Sequence, residues 1–147
     1  MEKEQHKELW RVVKFLLFSI SAGIIEISSF ALLYDVLHIT YWISYLVALI
    51  LSVLWNFTFN RRFTFKSAAN VPIAMLKVIG YYCVFTPLST LGGNYLEGVL
   101  GWNGNLVTLM NMVVNLITEF MFYKYVVYRK TIDTNDLAKK KQAANTK

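Results

Sequence analysis

Two asparagines and two adjacent arginines stand at the end of an apolar stretch, in NFTFNRRFTF at residues 56–65. A guanidinium group can bind a phosphate through two parallel hydrogen bonds and can stack on aromatic rings. Asn56, Asn60, Arg61 and Arg62 are therefore candidate residues for binding a phosphate-bearing ligand. The alternative is that the arginines only anchor the end of a helix at a membrane surface.

A carboxyl group lies deep in the first apolar stretch. Glu26 is the one charged residue between positions 15 and 34, and on a helix it lies about 18 Å from Lys14. A charge at that depth of a bilayer costs about 2.5–3.5 kcal/mol on insertion scales, so it is usually protonated, paired or in a wet cavity. Glu26 is either a transport residue or a protonated structural residue bonded to a neighbouring Ser or Tyr.

A second carboxyl group lies near the end of the last apolar stretch. Glu119 precedes Lys124 by five residues, which places it about 7 Å deeper along a helix. Glu119 and Lys124 are both candidate binding residues. In the alternative interpretation, an ion pair of Glu119 with Lys124, Arg61 or Arg62 offsets the cost of inserting it.

The composition indicates what must position these side chains. The chain has 147 residues and is 56% hydrophobic, above the roughly 45–50% of a soluble domain. Apolar stretches of about 20 residues are long enough to cross a bilayer as helices. We predict an all-α integral membrane protein, with a domain at 1–130 and a basic, disordered tail at 131–147. The four transmembrane helices are expected near 12–34, 41–60, 72–96 and 104–128.

The positions of the basic residues predict the topology. All 15 Lys and Arg residues lie before or at the start of the first span, between spans two and three or in the first turns of span three, or from Lys124 onward. Cytoplasmic loops accumulate such residues, so both termini and the central loop should be cytoplasmic. We expect Met1, Ala69 and Lys147 inside, and His38 and Asn103 outside. The net charge of +6 is then explained by topology and does not indicate nucleic acid.

The two halves of the chain correspond at an offset of 63 residues. FTFNRRFTFK at 57–66 aligns with FMFYKYVVYR at 120–129, which keeps aromatic and basic character at matching positions. A duplicated unit with an even number of spans keeps its orientation in the membrane. The sequence therefore predicts two parallel two-helix repeats.

Spans two and four each carry a row of small or polar residues at i, i+4 spacing, which places the row on one helix face. Such a row is either a path for a polar substrate or a close-packed helix contact with hydrogen bonds between helices. The row in span two contains Ser44, Ala48, Ser52, Asn56 and Asn60, and the row in span four contains Val107, Asn111, Asn115, Glu119 and Tyr123.

The sequence has no motif of a familiar enzyme. It lacks the nucleotide-binding GxxxxGK[ST] pattern and the hydrolase patterns HExxH and GxSxG. Its single cysteine, Cys83, provides neither a disulfide nor a metal cluster. We expect no catalytic residue, metal or cofactor.

The arrangement of four short spans, a basic LWRVVKFLLF segment leading to Glu26, and NFTFNRRFTF at the end of span two resembles the GtrA-like family. The resemblance covers about residues 9–129. It implies a flippase for undecaprenyl phosphate carrying one sugar, which works beside a membrane glycosyltransferase that decorates teichoic acid, O-antigen or another envelope polymer. By motif match, the resemblance implies binding roles for Asn56, Asn60, Arg61 and Arg62, and by its place after Gly23 one for Glu26. The second half departs from the pattern, since Tyr123 and Lys124 replace the Asn-Arg pair.

Two other functions fit the same features. A small proton-coupled multidrug exporter also has four spans and a Glu in the first helix, although such chains have a weak charge bias. A non-transporting scaffold subunit of a glycosyltransferase would use the polar rows only for packing. Contacts with membrane lipids are expected in every case, and four short helices enclose so little space that a homo-oligomer is also an open possibility.

Overall fold

The computed structural model describes residues 1–146, so the expected cytoplasmic position of Lys147 lies outside the described residues. The described part of the chain is helical and contains no β-strand. Each of the first four helices continues directly into a five-residue π-helical turn. The helices are α1 (Glu2–Ala31), α2 (Tyr41–Phe59), α3 (Val71–Asn94), α4 (Gly104–Phe122) and α5 (Asp136–Asn145). The π turns are Leu32–Val36, Asn60–Thr64, Tyr95–Val99 and Tyr123–Val127.

The prediction of four membrane spans is confirmed. The helices with their π turns are long and apolar enough to cross a bilayer, and most of their large apolar side chains are exposed, as a lipid-facing surface requires. The spans are Glu2–Val36, Tyr41–Thr64, Val71–Val99 and Gly104–Val127. The protein is therefore a multi-pass membrane protein.

The first span begins ten residues earlier than expected. Residues 2–11 are polar but consist largely of good helix formers such as Glu, Lys, Gln and Leu. The helix therefore continues beyond the apolar segment, with Glu2 and Glu4 in its first turn, where acidic residues interact favourably with the helix dipole.

Asparagines begin two of the later spans. Asn70 Oδ1 accepts a hydrogen bond from the Ile73 amide, and Asn103 Oδ1 accepts one from the Asn105 amide, at 3.3 and 2.9 Å. These contacts satisfy amides that have no partner within the helix. Pro87 lies inside α3 and does not end the helix, which continues to Asn94.

The chain divides into two compact units, which are described separately. Unit 1 consists of Met1–Ala68 and Asp133–Lys147, and unit 2 of Ala69–Ile132. In unit 1, α1 packs along α2 through the rings of Phe18 and Phe59, whose centroids are 5.4 Å apart. In unit 2, α3 packs on α4 through Tyr81 and Phe122, at 5.1 Å.

The tail folds onto one end of unit 1. Asp133 accepts hydrogen bonds from Lys7 and Arg11 at 2.8 and 2.6 Å, and its backbone amide donates to the Phe65 carbonyl at 2.9 Å. The start of α1, the turn after α2 and the start of the tail therefore lie together at this end of unit 1.

The disorder predicted for the tail is wrong for Asp136–Asn145, which form α5. Asn135 caps this helix by accepting from the Ala138 amide at 3.1 Å, and Asp136 lies in its first turn. Ala and Lys, which follow, are strong helix formers. The prediction of disorder was based on the low apolar content of the tail, which does not reflect the polar contacts that the tail makes with Lys7 and Arg11.

Candidate functional site

The polar row of α2 lies on a buried face of the helix. Ser52 and Asn56 are about one-tenth exposed or less, and Asn60 is fully buried. Thr64, which sequence reasoning missed, extends the row by one further i+4 step and is also buried. The row identified in the sequence is buried over its whole length, at Ser44, Ala48, Ser52, Asn56 and Asn60.

Hydrogen bonds connect the polar side chains at the end of the row. Asn60 Nδ2 donates to Asn56 Oδ1 at 2.7 Å, and Thr64 Oγ1 donates to Asn60 Oδ1 at 2.7 Å. Ser19 on α1 donates to the same Asn56 oxygen at 3.3 Å. These hydrogen bonds thus compensate much of the cost of burying two amides, and they orient the amides along one line.

Arg61 and Arg62 lie in the π turn that follows this row. Arg61 is half-buried, whereas Arg62 is exposed and its guanidinium carbon lies 5.6 Å from the centroid of the Phe63 ring. Both line a groove of about 410 Å³ whose opposite wall carries Lys139 and Lys140 of α5. Four cationic side chains therefore surround this groove.

The groove is separate from the buried amides. Asn56 and Asn60, which belong to the same candidate set, do not line it. Asn135 fixes one wall, because its Nδ2 donates to the Arg62 carbonyl at 2.9 Å. The two lysines were missed because the tail was predicted to be disordered.

Glu26 is half-buried on α1. Its carboxylate forms no hydrogen bond or ion pair with the described residues of unit 1. A purely structural Glu26 would be hydrogen-bonded to a Ser or Tyr, and the described residues of unit 1 provide no such partner.

The row of α4 is less uniformly buried than that of α2. Val107, Glu119 and Tyr123 are buried, but Asn111 and Asn115 are only half-buried. The row of α4 is therefore buried at both ends and half-buried in its middle. Two polar side chains in the middle of a membrane helix are partly accessible.

Tyrosines of α3 bind two of these polar groups. Tyr81 donates to Asn115 Oδ1 at 3.2 Å, and Tyr82 donates to Glu119 Oε1 at 2.7 Å. Sequence reasoning missed both tyrosines, because a Tyr pair in an uncharged span resembles ordinary lipid-facing residues. Glu119 therefore has a hydroxyl partner in unit 2.

Asn111 and Lys124 occupy the two remaining candidate positions. Asn111 Nδ2 donates to the Ser89 carbonyl at 3.5 Å, and a methyl group added at Gly93 would lie 3.1 Å from that same nitrogen. Gly93 thus leaves space for the amide between α3 and α4. Lys124 is half-buried and its Nζ lies 5.2 Å from the centroid of the Tyr125 ring.

No group of three or more His, Cys, Asp or Glu side chains in residues 1–146 is arranged to hold a metal ion. The chemistry that these residues provide is binding chemistry: cations at the helix ends, amides and hydroxyls along two helix faces, and carboxyl groups inside the spans.

Comparison with known proteins gives a family for this arrangement. The profile of the GtrA/DPMS transmembrane domain matches residues 14–128. The uncharacterized membrane protein YwcD of Bacillus subtilis (strain 168) is 24% identical over 122 residues, which cover 80% of this chain and 95% of that protein. No solved structure matches. Since the match covers all four spans but for the start of the first, the chain belongs to the GtrA/DPMS transmembrane domain family.

Proposed function

We propose that the protein translocates undecaprenyl-phosphate-linked monosaccharide across the bacterial cytoplasmic membrane, for glycosylation of an envelope polysaccharide such as teichoic acid or O-antigen. The observation that carries the proposal is the buried row of α2, in which Asn56, Asn60 and Thr64 are hydrogen-bonded within a membrane helix. Polar groups inside a membrane are costly and usually mark a substrate path. Membership of the family supports the same function.

The half-buried asparagines of α4 support a path for a sugar. The amides of Asn111 and Asn115 are partly accessible, so a hydroxyl-rich headgroup can exchange hydrogen bonds with them. Fully buried amides would need the helices to separate first. In this proposal, Ser52, Asn56 and Asn60 bind the sugar in one repeat, and Asn111, Asn115 and Glu119 bind it in the other.

The phosphate is bound at the cytoplasmic ends of the spans in this proposal. Arg61 and Arg62 line a groove with two lysines of α5, and Lys124 follows α4 at the equivalent place in the second half. Guanidinium groups match a phosphate better than lysine ammonium groups do. Glu26, deeper in α1, takes part as the headgroup crosses.

A repeated architecture with parallel repeats is part of the proposal. Elements recur at an offset of 63 residues: α2 and α4 both have 19 residues, and the π turns that begin at Leu32 and Asn60 recur at Tyr95 and Tyr123. Even the left-handed residue after the first π turn, His38 at φ 52°, recurs as Gly101 at φ 67°. The agreement of local geometry at one offset supports a duplicated pair.

The proposed topology places both termini and the central loop in the cytoplasm. Single cysteines at Met1 and Ala69 should be protected from an impermeant thiol reagent in intact cells, and one at His38 should react, after Cys83 is replaced by Ser. Labelling of position 69 from outside would contradict the parallel arrangement.

The proposed function is tested by deleting the gene. An envelope polymer should lose one sugar while the lipid-linked form of that sugar accumulates on the cytoplasmic side. Loss of a scaffold subunit gives a different result. The polymer also loses its sugar, because the glycosyltransferase fails, but the lipid-linked sugar does not accumulate on the cytoplasmic side. An exporter would leave the polymer unchanged and alter resistance to lipophilic cations.

A further inference from the structure

A cleft of about 640 Å³ lies at the end of unit 1 where the tail folds back. The first turns of α1, the turn at Lys66 and one face of α5 form its walls. Six of its side chains are basic: Lys3, Lys7, Arg11, Lys14, Lys66 and Lys141. It is distinct from the groove of Arg61 and Arg62, whose lining shares no residue with it.

Two acidic residues, Glu4 and Asp133, line the cleft and do not neutralise the charge of six basic side chains. Asp133 is bound by Lys7 and Arg11, at 2.8 and 2.6 Å. Among the described residues of unit 1, no carboxylate lies in ion-pair contact with Lys14, Lys66 or Lys141. Three ammonium groups therefore face one cleft without a bound counterion from the protein.

Backbone hydrogen bonds fix the turn that carries Lys66. Lys66 has a left-handed backbone, at φ 47°, and its carbonyl accepts hydrogen bonds from the amides of Thr134 and Asn135, both at 2.9 Å. A left-handed lysine is uncommon, and these two bonds fix it. The start of the tail therefore holds Lys66 in place at the cleft.

The electrostatic environment agrees with this arrangement. Burial lowers the pKa of Lys66, and the like charges of Lys14 and Lys141 lower it further, against the opposite effect of Asp133. Lys66 therefore experiences the positive charge of both Lys14 and Lys141, and an anion in the cleft that these three residues line would reduce that repulsion.

We propose that this cleft is a second anion site, which binds a phosphate group carrying two negative charges, as in a phosphomonoester or a diphosphate. Three uncompensated ammonium groups match a dianion better than a monoanion, because each added negative charge is attracted by all three. The indole of Trp10, half-exposed on the cleft wall and bonded to His6 at 2.9 Å, offers an apolar surface beside the phosphate. The phosphate belongs either to a lipid headgroup or to a soluble ester.

The cleft reaches the end of the buried row of α2. Thr64 lines the cleft and donates to Asn60 inside the row. An anion in the cleft would therefore lie beside the last polar group of that row. The proposal does not require transport, since it concerns only binding.

The test uses the full-length protein purified in a neutral detergent. Binding of inorganic pyrophosphate is measured by isothermal titration at fixed ionic strength, and binding of a phosphomonoester headgroup is measured with nanodiscs that contain phosphatidic acid, against phosphatidylcholine nanodiscs. Lys66→Gln and Lys141→Gln should each weaken binding about tenfold, as expected when one charged contact is lost. Lys130→Gln is the matched control, because Lys130 is exposed and lines neither this cleft nor the groove of Arg61 and Arg62.

Saturable binding of either probe with this pattern supports the site, and the probe that binds identifies a soluble or a lipid source. The proposal is overturned if neither probe binds saturably, or if Lys130→Gln weakens binding as much as Lys141→Gln. Lys141 is on the surface of a helix and outside the Lys66 turn, so its variant keeps the test valid if Lys66→Gln disturbs folding. Because the test measures binding and not translocation, it can refute the anion site without refuting the proposed translocation. A failure of the proposed translocation would likewise leave the anion site untouched.

Discussion

The hydrogen bond between Thr64 and Asn60 allows a sharp test of the buried row. Thr64→Val removes the hydroxyl that donates to Asn60 Oδ1 at 2.7 Å and keeps a side chain of similar shape. Both residues are β-branched, so the backbone preference changes little. The buried amide oxygen loses one donor and gains none.

The expected cost follows from that geometry. Side-chain hydrogen bonds inside membrane proteins contribute about 0.6 kcal/mol on average and up to about 1.7 kcal/mol, and a buried acceptor left without its donor costs about 1–3 kcal/mol. Since Thr64 is only 2% exposed, water does not replace its hydroxyl. We therefore expect Thr64→Val to lower the free energy of unfolding by about 1 kcal/mol, or the melting temperature by about 2–4 °C.

Thr58→Val is the matched control, because Thr58 lies on α2 with an exposed side chain. Unfolding of each protein is followed in detergent by tryptophan fluorescence, for which Trp55 on α2 is a nearby reporter. A double-mutant cycle with Asn60→Ala should give a coupling energy of about 0.6–1.7 kcal/mol between Thr64 and Asn60. The reasoning is refuted if Thr64→Val and Thr58→Val unfold at the same temperature and the cycle gives no coupling.

Three further outcomes are expected. Arg62→Lys keeps the charge but loses the planar fork, so glycosylation of the polymer should fall severalfold if Arg62 binds phosphate; unchanged glycosylation in Arg61→Lys and Arg62→Lys would make both residues membrane anchors. Glu26→Gln should reach normal abundance and lose most transport, and Glu26→Asp should keep part of it; a fully active Glu26→Gln in cells and vesicles would make Glu26 structural. Burial alone would raise the pKa of Asp133, but Lys7 and Arg11 hold it below its ordinary value, so the stability that Asp133 contributes is present above about pH 4 and is lost as the pH falls further. The protection of the α5 amides against hydrogen exchange, relative to their intrinsic exchange rates at each pH, should therefore decrease below about pH 4 in the natural protein, and the same profile in Asp133→Asn would show that this carboxylate does not hold the tail.

The spans and the α2 row could be predicted because they depend on local patterns. Long uncharged stretches have one stable conformation in a bilayer, a helix, and the i+4 spacing of Ser52, Asn56 and Asn60 places them on one face in any helix. The same spacing reaches Thr64, but the Arg61-Arg62 pair marked the end of the span in the sequence. The π turn at Asn60–Thr64 carries the helix past these arginines, which hydropathy alone does not indicate.

The tail could not be predicted because its fold depends on distant residues. Asp133 is bound by Lys7 and Arg11, more than 120 positions away along the chain, and no local property of the tail encodes that contact. The partners of the polar groups in α4 were missed for a similar reason. In the sequence, Tyr81 and Tyr82 do not differ from other aromatic residues of a span. Their polar partners are determined by the position of α4 beside them.

The most direct test of the proposed translocation is a flipping assay in vesicles. The purified protein is reconstituted with undecaprenyl-phosphate-linked sugar, and the sugar that reaches the outer leaflet is measured by its oxidation with impermeant periodate. Vesicles with the natural protein should expose inner-leaflet sugar much faster than protein-free vesicles. Asn60→Leu should remove most of that difference, and Leu54→Ala, at an exposed position of α2, should keep it. Equal rates with and without the natural protein would contradict the account.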